Sequence, residues 1–193
     1  MRELETPRGL ARAHVHEVDN ARALLVLGHG AGGGVNAPDL QTATKVALAR
    51  DVRVVLVEQP YRVLGRRSPP PAPHLDDAWI AVVAQVRDEL PLLVGGRSSG
   101  ARVACRTATE VGAAGVLCLA FPLIAPSGAS RQAELDGVAV PTLVVQGTRD
   151  RFGMPKATKL RTVAEVSADH ALKSDREAVA SAIDAWLVNQ LDR

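Results

Sequence analysis

Short apolar runs alternate with stretches of helical spacing along this chain. Leu24–Leu27, Val52–Val57, Leu92–Val94, Val116–Leu119 and Thr142–Val145 are brief and rich in Val and Leu, the pattern of strands buried on both faces. Between them, Leu75, Trp79, Val82, Val83, Val86 and Leu90 fall on one helical stripe. Pro38–Ala49 repeats the spacing with Leu40, Thr44, Ala47 and Leu48, and Pro38 suits a first helical turn. The last segment reads as a capping box, Ser174 with Glu177, ahead of a helix burying Val179, Ile183, Trp186 and Leu187. Strand–helix–strand repetition with short links predicts an α/β fold: a three-layer αβα sandwich around a mostly parallel, doubly wound sheet. No linker separates two cores, so residues 1–193 are expected to form one domain without an inserted lid. The loop Arg66–Pro73, with prolines at Pro69, Pro70, Pro71 and Pro73, is held extended, either as a surface connection or as one wall of a site.

Composition narrows the function. Hydrophobic residues make up 47% of 193, enough for a full core. Aromatics are only 3%, so that core is built from Val, Leu and Ala. A net charge of +2 predicts neither nucleic-acid nor membrane-surface binding. Cys105 and Cys118 lie in no metal-ligand spacing and read as small buried hydrophobes. The first twenty residues lack the apolar stretch of a signal peptide, and a cytoplasmic protein is expected.

Chemistry concentrates in Leu92–Ala104, where a strand runs into Gly96-Arg97-Ser98-Ser99-Gly100 and then a small-residue helix start. A serine at the apex of such a turn projects its Oγ away from the sheet, at the positive end of a helix. Ser98, with glycine two residues either side, is the candidate nucleophile. A serine hydroxyl needs a base. Of five histidines, only His170 lies downstream, just after the expected strand Thr162–Val166. Asp150, in the loop after Thr142–Gln146, can orient that imidazole; Asp169 competes, but an immediate neighbour rarely points at the ring nitrogen. His29 to Gly34 offers bare backbone N–H groups, so Ala31 and Ser99 are the expected oxyanion donors. The same run lacks the Gly-Lys-Ser/Thr ending of a phosphate-binding loop.

The order Ser98, Asp150, His170, together with Leu27–Gly33, Gly95–Gly100 and Val145–Asp150, resembles the α/β-hydrolase superfamily. The chain is similar to small lidless serine hydrolases of the dienelactone-hydrolase-like group. It is most like a bacterial family related to a eukaryotic chromatin-complex subunit. The resemblance implies Ser98, Asp150 and His170 as a triad, with Ala31 and Ser99 as oxyanion amides. Serine stands where true dienelactone hydrolases carry cysteine.

Cleavage of a small ester or thioester through an acyl-enzyme is the expected activity, with no metal or organic cofactor. A catalytically silent ligand-binding or scaffold protein on the same fold is the alternative. His29, Tyr61, Arg62 and Arg97 are the expected substrate-binding residues. Arginines Arg62, Arg66, Arg67, Arg97, Arg149 and Arg151 crowd the predicted site loops, so an anionic small-molecule substrate is one option, weighed against solvated arginines in an arginine-rich chain. Association of copies is left open.

Overall fold

A computed structural model of the chain describes residues 1–192. Eight strands form one sheet: β1 Arg2–Thr6, β2 Gly9–His16, β3 Ala23–Gly28, β4 Val52–Glu58, β5 Leu92–Arg97, β6 Gly115–Leu119, β7 Thr142–Gly147 and β8 Arg161–Val166. Their spatial order is β1-β2-β4-β3-β5-β6-β7-β8. β1 pairs antiparallel with β2, and β2 antiparallel with β4; every pairing from β4 to β8 is parallel. The α/β sandwich expected from the alternation is therefore the fold observed.

Helices α1 Pro38–Leu48 and α6 Arg176–Leu191 cover one face. The other carries α3 Ala72–Val86 and α4 Ser99–Thr107, and two short helices, α2 Pro60–Val63 and α5 Gln132–Asp136, sit in connections. Strand side chains alternate between the layers. Leu24 and Val26 join the core with Trp79 and Ala101, whereas Leu25 and Leu27 join the core with Leu40 and Ile183. Both faces are apolar, which is why these strands read as unbroken apolar runs rather than alternating ones.

Two local expectations shift. The stripe through Leu75 and Trp79 is buried, but α3 stops at Val86, before Leu90. Pro91 disfavours helix in the residue before it, and Asp88 Oδ1 accepts the Leu90 N–H at 3.0 Å. The last helix is capped not by Ser174 but by Asp175, whose Oδ1 accepts the Ala178 N–H at 3.3 Å and whose Oδ2 accepts the Ser167 N–H at 3.2 Å. The carboxylate's two oxygens tie the helix start to the end of β8, a double duty that a serine hydroxyl does not fill. Glu177 consequently falls one position early for a capping box.

β3 sits between β4 and β5: its crossover to β4 runs through α1 on one face, and the crossover from β4 to β5 returns past it through α3 on the other. In open α/β sheets the crevice at such a reversal, beyond the strand C-termini, is where ligands bind.

Candidate active site

The elbow between β5 and α4 is as tight as its sequence demands. Ser98 has φ 52° and ψ −106°, a region that costs a non-glycine residue about 1–3 kcal/mol. Its N–H donates to Leu119 O at 2.9 Å, and its carbonyl accepts the Arg102 N–H at 3.2 Å, which hold the bend. A Cβ on Gly96 would lie 2.5 Å from Gly28 O, and one on Gly100 only 2.3 Å from the same oxygen. Both glycines are thus required by close passage of β3, β5 and α4.

Three side chains remote in sequence meet at this bend. His170 Nε2 lies 3.0 Å from Ser98 Oγ. His170 Nδ1 lies 2.7 Å from Asp150 Oδ2, and the Asp150 side chain is fully buried. A carboxylate accepts the Nδ1 proton, which leaves the Nε2 lone pair directed at the hydroxyl. Asp150 is itself held: Gln146 Nε2 donates to Oδ2 at 2.9 Å, and the Phe152 N–H donates to Oδ1 at 2.9 Å. The Phe152 ring meets the imidazole edge-on, with centroids 4.7 Å apart. Asp169 instead accepts the Ala171 N–H at 2.9 Å and shapes the turn that carries His170.

Above Ser98 opens a cavity of about 410 Å³ lined by Ala31, Ser99, Arg97, Phe152 and His170 among others, with Pro69 from the proline-rich loop. Ser99 is the first residue of α4, so its N–H has no acceptor within the helix. Ala31 is fixed from its carbonyl side, where Tyr61 O–H donates at 2.7 Å. Burial pushes the Tyr61 pKa up to about 12, so the phenol remains a donor at neutral pH.

Three of the expected substrate-binding residues take other places. His29 is buried, with Nδ1 2.8 Å from Gly30 O and Nε2 accepting the Gln59 N–H at 3.1 Å. Burial lowers its pKa, in keeping with the neutral ring that this acceptor role needs. His29 therefore ties the loop after β3 to the end of β4 and does not line the cavity over Ser98. Tyr61 supports Ala31 from behind. Arg62 Nη1 donates to Arg66 O at 3.0 Å, within its own turn. The fourth, Arg97, does line the cavity, but it is engaged: Nε lies 2.8 Å from the fully buried carboxylate of Asp39, and Nη2 donates to His170 O at 3.1 Å.

Several contributors escaped the sequence reading. Gln146 was visible only as a polar residue closing an apolar run. Asp39 looked like an ordinary acid in a first helical turn. Phe152, Arg102 and Arg131 carried no local signal.

A family model described as alpha/beta hydrolase domain matches residues 21–184. The chain belongs to this family of alpha/beta hydrolases. No curated protein matches the sequence. Among solved structures, Est1E from Butyrivibrio proteoclasticus, with ferulic acid bound, superposes with a TM-score of 0.84 at 13% identity, covering 100% of both chains. XC6422 from Xanthomonas campestris, described as an a/b serine hydrolase without lid, gives 0.76 at 19% identity over 96% of this chain and 93% of that one. A dienelactone hydrolase from Anabaena variabilis gives 0.76 at 15% identity over 97% and 95%. At these identities the likeness is one of fold. This alpha/beta hydrolase connects β6 to β7 through loops and the five-residue α5 alone, among the described residues. None of its described helices is long and apolar enough to cross a membrane.

Proposed function

We propose that this alpha/beta hydrolase is a serine hydrolase cleaving a small carboxylic ester or thioester through an acyl-enzyme intermediate. The observation that carries the reading is the continuous relay from Asp150 through His170 to Ser98, at 2.7 and 3.0 Å, ending on a serine in a strained bend. Ser98 Oγ attacks the carbonyl carbon while His170 Nε2 takes its proton. Asp150 stabilises the imidazolium that forms. The Ala31 and Ser99 N–H groups face the developing oxyanion, each such donor being worth about a hundred- to a thousandfold in rate. The tetrahedral adduct collapses, the C–O or C–S bond breaks, and His170 returns the proton to the leaving group. Water, deprotonated by His170, then frees the acid and regenerates Ser98. Structural likeness to Est1E and to a lidless serine hydrolase agrees with this chemistry.

A panel of p-nitrophenyl esters of graded acyl length tests the proposal. Wild type is expected to saturate with at least one ester, and Ser98→Ala to lose at least about a thousandfold in kcat. A folded wild type that turns over none of them, or a Ser98→Ala protein of equal activity, would favour the silent scaffold reading.

A further inference from the structure

The cavity over Ser98 is lined by four arginines, Arg97, Arg102, Arg131 and Arg151, and by no carboxylate among the described residues. Their charges are not equally engaged. Arg97 is paired with Asp39. Arg102 grips Glu134 with two bonds, at 2.8 and 2.6 Å. Glu134 is shared, because Arg106 also reaches it at 3.3 Å. Arg131 and Arg151 form no ion pair among the described residues.

Arg131 is partly buried, and its Nη1 donates to Pro122 O at 3.0 Å. That bond uses one of five guanidinium donors. Burial, reinforced by the positive charges of Arg102 and Arg106 and only partly offset by Glu134, which those two arginines already engage, holds its pKa below the usual arginine range. Arg151 is exposed, and its guanidinium stacks 4.8 Å above the Phe152 ring. That ring touches His170, so the second cation stands one side chain away from the imidazole. A neutral ester would leave both arginines without a counter-charge beside the reacting carbonyl. Guanidinium groups are well matched to carboxylate and phosphate oxygens.

Building on the serine-hydrolase reading, we propose that the site selects an ester or thioester bearing a carboxylate or phosphate group. Arg131 and Arg151 hold that anion while Ser98 faces the carbonyl. Arg62, Arg66, Arg67 and Arg149 do not line this cavity. Selectivity is then a matter of charge placement: an anionic substrate neutralises two half-satisfied cations, and an uncharged one of equal length does not.

The test pairs p-nitrophenyl hemiglutarate with p-nitrophenyl pentanoate, which have the same acyl length with and without the carboxylate. We expect wild-type kcat/KM to be at least tenfold higher for the hemiglutarate, with the advantage shrinking as salt is raised. Arg131→Met and Arg151→Met should bring the ratio toward one, and Arg131→Lys should retain most of it, separating lost charge from a disturbed loop. Inhibition by glutarate or by phenyl phosphate at matched ionic strength tells which anion fits; inhibition by neither overturns the proposal. A wild-type ratio near one also overturns it, while leaving the hydrolase reading intact. If neither ester is cleaved, calorimetry on Ser98→Ala decides without turnover. Binding of monoethyl glutarate but not diethyl glutarate supports the anion site; equal or absent binding removes it.

Discussion

Replacing Arg97 by Met strips the charge from the residue that bolts the elbow to its surroundings. The Asp39 carboxylate, with no exposed side-chain area, would lose a partner 2.8 Å away. At an effective dielectric of 20, raw attraction at that distance is about 6 kcal/mol. Removing one member of a buried pair costs about 3–5 kcal/mol, because the survivor stays desolvated. The bond to His170 O, at 3.1 Å, adds about 1 kcal/mol. We therefore expect Arg97→Met to lose about 5 kcal/mol at neutral pH. Urea unfolding measures this directly.

The pH dependence supplies a sharper check. Burial already raises the Asp39 pKa against the pull of Arg97, and without the guanidinium it must rise further. A carboxyl whose folded pKa exceeds its unfolded value binds more protons in the folded state within that window. Stability then falls as pH climbs from the ordinary carboxylate range through the raised folded value, and recovers as pH drops. The deficit of Arg97→Met relative to wild type should accordingly narrow between pH 7.5 and about 5. Adding Asp39→Leu should restore much of the loss, since an apolar pair replaces an orphaned charge. A single variant as stable as wild type at pH 7.5, or a deficit that widens in acid, would refute this reasoning.

Three other substitutions probe the same site. Gly100→Ala places a Cβ 2.3 Å from Gly28 O, and either a fall of several kcal/mol in urea unfolding or an insoluble protein is expected. Tyr61→Phe removes the bond to Ala31 O, at a cost of about 1 kcal/mol. It should lower kcat several-fold with little change in KM, and a Phe variant with wild-type kcat would show that Ala31 needs no such support. Gln146→Leu deletes donors to Asp150 Oδ2, Phe121 O and Gly153 O. Loss of about tenfold in kcat, with a shifted pH–rate profile, would distinguish a disturbed relay from a merely weakened fold.

The layered fold was legible because strands buried on both faces must be apolar throughout, and Leu24–Leu27 and Val52–Val57 have few other uses. The elbow was legible because Gly96 and Gly100 are dictated by backbone collisions within a few residues of Ser98. Choosing Asp150 over Asp169 rested on direction along the chain, and the structure gives each carboxylate a different partner. What stayed hidden was long-range pairing. Arg97 beside the candidate nucleophile suggested a substrate contact, yet its charge is taken by Asp39, 58 positions earlier in the chain. His29 behaved similarly: a histidine after a strand end reads as chemistry, and its buried acceptor bond is to the N–H of Gln59, the residue just past the end of β4. Arg131 gained interest only once its neighbours proved to be spoken for.

Covalent capture by a fluorophosphonate tests the central claim most directly, because it requires an activated serine and no knowledge of the substrate. Mass spectrometry of the labelled protein should place one adduct on Ser98, with labelling abolished in Ser98→Ala and strongly slowed in His170→Ala. A folded wild type that stays unlabelled, or an adduct on a different residue, would contradict the account.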